Sequence, residues 1–139
     1  MTVTFSPQLV VFEDLSPKNK GGEDVLEDLK IHPAKMHRLL LCYRSSGIYI
    51  FSLNKNRAIQ AIDFKRLDSD KGQALAGEFL STEGEAFAIG YSTGLICLYK
   101  TETSTQKPYQ VIDLKRPGLN HMRLNVLSHS QGTLMTAQI

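Results

Sequence analysis

Few residues in this chain could do chemistry, and their spacing does not gather them into a site. Four histidines, His32, His37, His121 and His129, are the natural metal ligands. His32 and His37 stand five apart with Pro33 between them, and Cys42 follows another five on. An odd interval along a strand sends two side chains to opposite faces, so this trio lacks zinc-site spacing and the histidines read as turn or surface residues. Cys42 and Cys97 lie 55 apart in apolar runs and read as buried free thiols rather than a disulfide or a metal site. Asp63 and Asp113 recur at matching places in two similar stretches. Such repetition sets residues on neighbouring units, beyond the ~5–9.5 Å that two-carboxylate hydrolysis needs, so bonds to turn amides or nearby lysines are expected. Ser45-Ser46-Gly47 and Ser92-Thr93-Gly94 read as hairpin turns, with hydroxyls capping backbone and glycine taking positive φ. Gly21-Gly22 does not open a helix after a strand, so no phosphate cradle is expected. The expectation is a non-enzyme with no catalytic residue, no metal and no cofactor.

One charged feature stands out. Lys65-Arg66 and Lys115-Arg116 close two corresponding strands and should emerge on one rim, with Arg57 and Lys107 nearer the opposite end. Such a strip would suit an acidic peptide or anionic lipid heads. Ordinary solvated turn charge is the competing reading.

The elements that would hold these residues are short and alternating. Arg38 to Tyr43 is an apolar run, Arg44 to Gly47 has turn chemistry, and Ile48 to Leu53 is β-branched and aromatic. Runs of this length joined by tight turns predict an antiparallel meander, because parallel strands need long crossovers. The pattern then repeats. Tyr43 to Phe51 matches Tyr91 to Tyr99 with a one-residue difference in the turn, Ala61 to Arg66 matches Val111 to Arg116, and Phe79 to Gly84 matches Val126 to Gly132. The offsets of 47, 50 and 47 residues give a period near 48. Four strands per period is the signature of β-propeller blades.

The predicted fold is therefore all-β, with antiparallel four-stranded meander blades of a partial WD-like propeller. Strands are expected near 25–32, 38–44, 47–53 and 58–65, then near 74–81, 85–91, 94–101 and 109–115. In domain terms, residues 1–24 form an outer strand of a preceding blade (Gln8 to Leu15) plus a Pro/Gly-rich connector. Residues 25–66 and 67–116 form one blade each, and 117–139 start a third. Closed propellers carry about 4–8 blades, so the ring is expected to be completed by further blades in the same chain, another copy or another protein.

Composition sets outer limits. A chain of 139 residues that is 42% apolar and 22% charged is ordinary globular material. A net charge of +2 falls short of a nucleic-acid binder. No apolar run reaches the ~20 residues that span a bilayer, and Met1 to Asp14 lacks the basic and apolar regions of a signal peptide. Cytoplasmic residence is the default expectation, with association at a membrane periphery left open.

These residues resemble WD-repeat proteins. His32-Pro33, the run Leu39 to Tyr43, and Gly47 to Leu53 look like blades of the lethal giant larvae and tomosyn group. Ala88-Ile89-Gly90-Tyr91-Ser92-Thr93-Gly94-Leu95-Ile96 matches that form best. The chain has no tryptophan, so Phe51-Ser52 and Tyr99-Lys100 replace the usual Trp-Asp closing. The structural histidine of many WD blades has no clear counterpart, although His121 could take a blade-entry role. The resemblance implies a scaffold or adaptor that binds other proteins, in vesicle trafficking or in assembly of a larger complex. The narrower resemblance implies membrane-fusion SNAREs or polarity proteins as partners. Two alternatives stand beside it. One is an anionic-lipid (phosphoinositide) binding propeller of the autophagy type, although Phe64-Lys65-Arg66-Leu67 and Leu114-Lys115-Arg116-Pro117-Gly118 each lack part of that group's Phe-Arg-Arg-Gly motif. The other is a propeller-fold enzyme whose site lies outside this chain.

Overall fold

The computed structural model describes residues 24–64, 72–103, 106–129 and 132–139. Among these residues ten strands form three sheets. The first is a meander of β1 (Leu26–Ile31), β2 (Arg38–Tyr43), β3 (Gly47–Ser52) and β4 (Arg57–Asp63). The second repeats it with β5 (Ala74–Phe79), β6 (Ala86–Tyr91), β7 (Leu95–Lys100) and β8 (Gln110–Asp113). The third is a hairpin of β9 (Arg123–His129) and β10 (Gly132–Gln138). Every pairing is antiparallel. The expected all-β, four-stranded meander architecture is what the chain adopts. The strand expected at Gln8 to Leu15 lies outside the described residues.

The turns follow from local chemistry. Between β2 and β3 the Asp24 carboxylate accepts the amides of Ser45 (3.1 Å) and Ser46 (2.7 Å), fixing the turn from a residue that precedes β1. Between β6 and β7 the Gly94 amide returns to the Tyr91 carbonyl at 2.9 Å. Gly94 has φ +87°, and a Cβ there would stand 2.6 Å from the Arg116 carbonyl oxygen, so both backbone conformation and space demand glycine.

The sheets stack face to face, and their inner strands touch: β1 lies against β5, and β5 against β9. Leu40, Cys42, Ile48, Ile50 and Ile62 of the first sheet meet Ala74, Phe79, Phe87, Ile89, Tyr91, Cys97 and Tyr99 of the second in one buried cluster. The second sheet's other face places Leu75, Ala76, Ala88, Ile96 and Leu98 against Met122 and Leu124. A third cluster, Leu39, Leu41, Tyr43, Tyr49 and Phe51, lies on the opposite face of the first sheet. Burying one large apolar side chain contributes about 1.5–3 kcal/mol, whereas one hydrogen bond nets about 1 kcal/mol. Apolar stacking thus holds the sheets together, and polar contacts set how they align.

The third unit departs from the repeat. Phe79 ends β5, and residues 80–85 form a loop in which the Gly84 amide reaches the Ser81 carbonyl at 3.0 Å. The matching stretch from Val126 continues as strand up to the pair His129–Gly132. Gly84 has φ +67° and turns the chain, whereas its counterpart Gly132 opens β10, so the same motif makes a loop once and a straight hairpin once.

Candidate partner-binding rims and the seam between sheets

The most constrained polar groups lie in the seam between the first two sheets. His32 follows β1 and is buried. Its Nδ1 accepts the amides of Ala34 (3.1 Å) and Lys35 (2.9 Å), closing the His-Pro turn. Its ring lies 4.8 Å from the Phe79 ring of the next sheet. A Cβ on Gly84 would fall 2.3 Å from His32 Cε1 and Nε2, so that glycine makes room for the imidazole. Desolvation pushes the His32 pKa below its ordinary value; Arg38, Lys35 and His37 add to this, while a hydrogen bond with the Gly84 backbone opposes it. Two accepted amides require an unprotonated Nδ1, so the group is a structural neutral histidine. His32 is thus turned inward, where the adjoining sheet supplies Phe79 and Gly84.

Two further ties cross the seam. At the inner strands the Gly77 amide donates to Asp28 Oδ2 (3.0 Å), and Lys30 Nζ donates to Asp28 Oδ2 (2.9 Å) and to the Gly77 carbonyl (3.1 Å). Farther out, Gln60 on β4 is buried. Its Nε2 donates to the Lys100 carbonyl (2.9 Å), and its Oε1 accepts the Glu102 amide (2.8 Å). Glu102 in turn pairs with Arg38 and with Lys35, the latter at 2.8 Å. Both amide atoms of Gln60 make a hydrogen bond, which offsets the cost of burying them while the tie fixes alignment. None of these groups was singled out from sequence, because polar residues on short strands read there as surface.

The seam also encloses two thiols and two phenols. Cys42 and Cys97 are buried and form no disulfide, as expected. Burial pushes the Cys42 thiol far above its ordinary pKa, which leaves it protonated and inert. The hydroxyls of Tyr91 and Tyr99 meet at 2.7 Å inside the core, and burial raises both phenols. Among the described residues no cluster of three or more His, Cys, Asp or Glu is arranged to hold a metal. Asp113 Oδ1 accepts the Lys115 amide at 2.8 Å, the turn bond expected of it, and the Asp63 amide donates to Gln106 Oε1 at 3.3 Å.

Of the predicted basic strip, Lys65 and Arg66 lie outside the described residues. Lys115 and Arg116 are exposed in the loop after β8, with Lys115 at φ 56°. The Leu114 amide donates to the Gly94 carbonyl at 2.9 Å, which holds that loop beside the β6–β7 turn. Arg57 is exposed at the start of β4. The inner strands carry two shallow grooves. One, about 240 Å³, is lined by Ile31, Pro33, Glu78, Phe79, Ser81, Thr82 and Val126. The other, about 190 Å³, includes Glu27, Asp28, Lys30, His121 and Arg123. His121 is exposed and faces this second groove.

Four-stranded antiparallel sheets stacked through their inner strands define WD-type propeller blades, and comparison with solved structures agrees. The crystal structure of the RRP9 WD40 repeats superposes with a TM-score of 0.59 at 14% identity, over 75% of this chain and 30% of that one. The chain thus matches under a third of that structure's length, and the likeness is one of fold. No family model matches the chain, and no curated protein matches it. Among the described residues no helix is long and apolar enough to cross a membrane.

Proposed function

We propose that this chain is a non-enzymatic interaction scaffold that binds other proteins through the rims of its blades. Residues 25–66 and 67–116 each act as one blade and 117–139 begin a third, with the ring completed by further blades of the same chain, another copy or another protein. The observation that carries the reading is where the polar groups are. Those held with defined geometry, His32, Asp28, Lys30 and Gln60, are used up in joining the sheets, while Lys115 and Arg116 stand exposed on a loop anchored to a rigid turn. A role in vesicle trafficking or complex assembly is supported by the sequence resemblance to the lethal giant larvae and tomosyn group. Cytoplasmic residence, including at membrane peripheries, fits the same reading.

An acidic peptide is the partner chemistry the basic strip favours. The test compares the chain with a K65E/R66E/K115E/R116E variant against a fluorescent oligoglutamate peptide and against vesicles containing phosphoinositide, each at low and physiological salt. Peptide binding that weakens with salt and disappears in the variant supports the strip. Vesicle binding without peptide binding transfers the site to the lipid reading, and equal binding by both proteins removes the strip altogether.

A further inference from the structure

We infer that the groove where the β1–β2 and β5–β6 loops meet β9 is a docking site for a basic segment of a partner protein, entered by one aliphatic side chain with lysine or arginine on either side. The groove measures about 240 Å³, with Pro33, Phe79 and Val126 as apolar walls and Glu78, Ser81 and Thr82 as polar ones. These walls come from sheets that already touch, β1 with β5 and β5 with β9, and the groove opens where the loops leave the strands. Further sheets added at either end of the stack would therefore leave it open. It lies at the end of β6 away from Lys115 and Arg116, whose loop is held by the Gly94 carbonyl in the β6–β7 turn.

Each wall is fixed before any partner arrives. The His32 ring accepts the Ala34 and Lys35 amides and so sets the turn that carries Pro33. The turn from Ser81 to Gly84 is closed by the Gly84 amide on the Ser81 carbonyl (3.0 Å), and Thr101 Oγ1 donates to the Gly84 carbonyl (2.9 Å). Glu78 Oε1 accepts the Phe79 amide (3.0 Å), and its Oε2 stands 3.7 Å from Lys30 Nζ. Thr82 and Glu83, the middle residues of the turn, are exposed. A groove formed in advance spends little binding energy on ordering its own walls.

Charge decides what enters. Lys30 is the cation at this wall, and it already stands between two carboxylates, Asp28 at 2.9 Å and Glu78 at 3.7 Å. Glu83 and Glu85 on the adjoining loop are exposed, and among the described residues neither makes an ion pair. Lys35 and Arg38, which follow Pro33, are both paired with Glu102. Asp28, Glu78, Glu83 and Glu85 thus face Lys30 alone, and the surroundings of the groove carry an excess of negative charge. Apolar walls inside such a field select an aliphatic side chain flanked by cations and reject an acidic segment. This rests on the reading of the chain as a protein-binding scaffold, and adds to its basic rim a second face of opposite charge.

The experiment uses the whole chain and three fluorescent peptides, a GKRLRKG probe, its GKRSRKG counterpart and an acidic GEELEEG control, with binding followed by anisotropy at low and high salt. The probe should bind with a dissociation constant on the order of 50 μM and more weakly as salt rises. Serine in place of leucine should weaken binding about tenfold, the loss of one buried aliphatic side chain. In the protein, E78Q/E83Q should weaken it about fivefold and flatten the salt dependence. Thr82→Trp, which fills the groove and leaves every charge in place, should abolish it. K115E/R116E should bind the probe as the wild type does while losing any binding of the acidic control, so the rim and the groove stand or fail separately. No binding of the probe at about 1 mM, equal binding of the serine peptide, or unchanged binding by both E78Q/E83Q and Thr82→Trp would overturn the proposal.

Discussion

The seam between the first and second sheets and the contact between the second sheet and the β9–β10 hairpin use the same inner-strand stacking, yet they are built to different depths. The first buries residues from β2, β3 and β4 of one sheet and from β5, β6 and β7 of the other, and adds ties through His32, Asp28, Lys30 and Gln60. The second rests chiefly on Met122, Leu124 and the partly buried Met135 against β5, β6 and β7, and leaves Tyr109 and Val111 half exposed. Inner strands alone thus bring units together, while outer strands seal them.

Deep truncation should separate the two contacts most clearly. Phe87, fully buried and stacked on Tyr99 at 5.4 Å, sits in the sealed seam, and Phe87→Ala should cost about 3–5 kcal/mol in denaturant unfolding. Met122→Ala removes the side chain that abuts Gly90; about 2 kcal/mol is expected, with the loss read as faster exchange in the hairpin while β1 to β4 stay protected. If both variants lowered the two regions equally, the contrast between the contacts would fail.

Gly84 offers a sharper cut within the seam. Any side chain there meets both a left-handed backbone and the His32 ring, so Gly84→Ala should destabilise by about 2 kcal/mol or more. Gly118 also has positive φ, at +74°, but a Cβ there meets nothing within 4 Å. Gly118→Ala should cost only about 1 kcal/mol, the backbone part alone. Chemical denaturation of the pair checks this, and equal losses would mean that His32 does not press on Gly84.

A smaller effect follows from the titration of His32. Its folded pKa lies below the unfolded value of about 6.5, so the unfolded chain binds more protons over that interval. Stability is then complete above pH 6.5 and falls as pH drops through the unfolded pKa toward the folded one. Melting temperature should decline between pH 7 and 5, and His32→Gln should flatten that part of the profile. A flat wild-type profile, or an unchanged slope in the variant, would assign the proton elsewhere.

How far this could be read in advance differs between levels. Strands such as Ile48 to Leu53 and Ala88 to Tyr91 were legible because each combines a short β-branched or aromatic run with Ser/Gly turn chemistry at its boundary, and the 48-residue spacing linked them. His32 was legible as a turn residue but not as a buried one, since its burial depends on Phe79 and Gly84, which come near only after the sheets stack. Asp28, Lys30 and Gln60 were invisible for the same reason: a polar residue on a strand announces exposure until a second sheet provides its partner. The matching of Phe79 to Gly84 with Val126 to Gly132 aligned residues correctly but not their conformation, because a glycine's place in the sequence does not state its φ.

The most direct test of two sealed sheets carrying a half-covered hairpin is native-state hydrogen exchange along the whole chain. The account predicts that amides of β2, β3, β6 and β7 exchange together at the slowest rate, through global unfolding, while those of β9 and β10, which rest on fewer buried side chains, exchange markedly faster. Uniform protection across all ten strands, or a β10 as slow as β6, would contradict it.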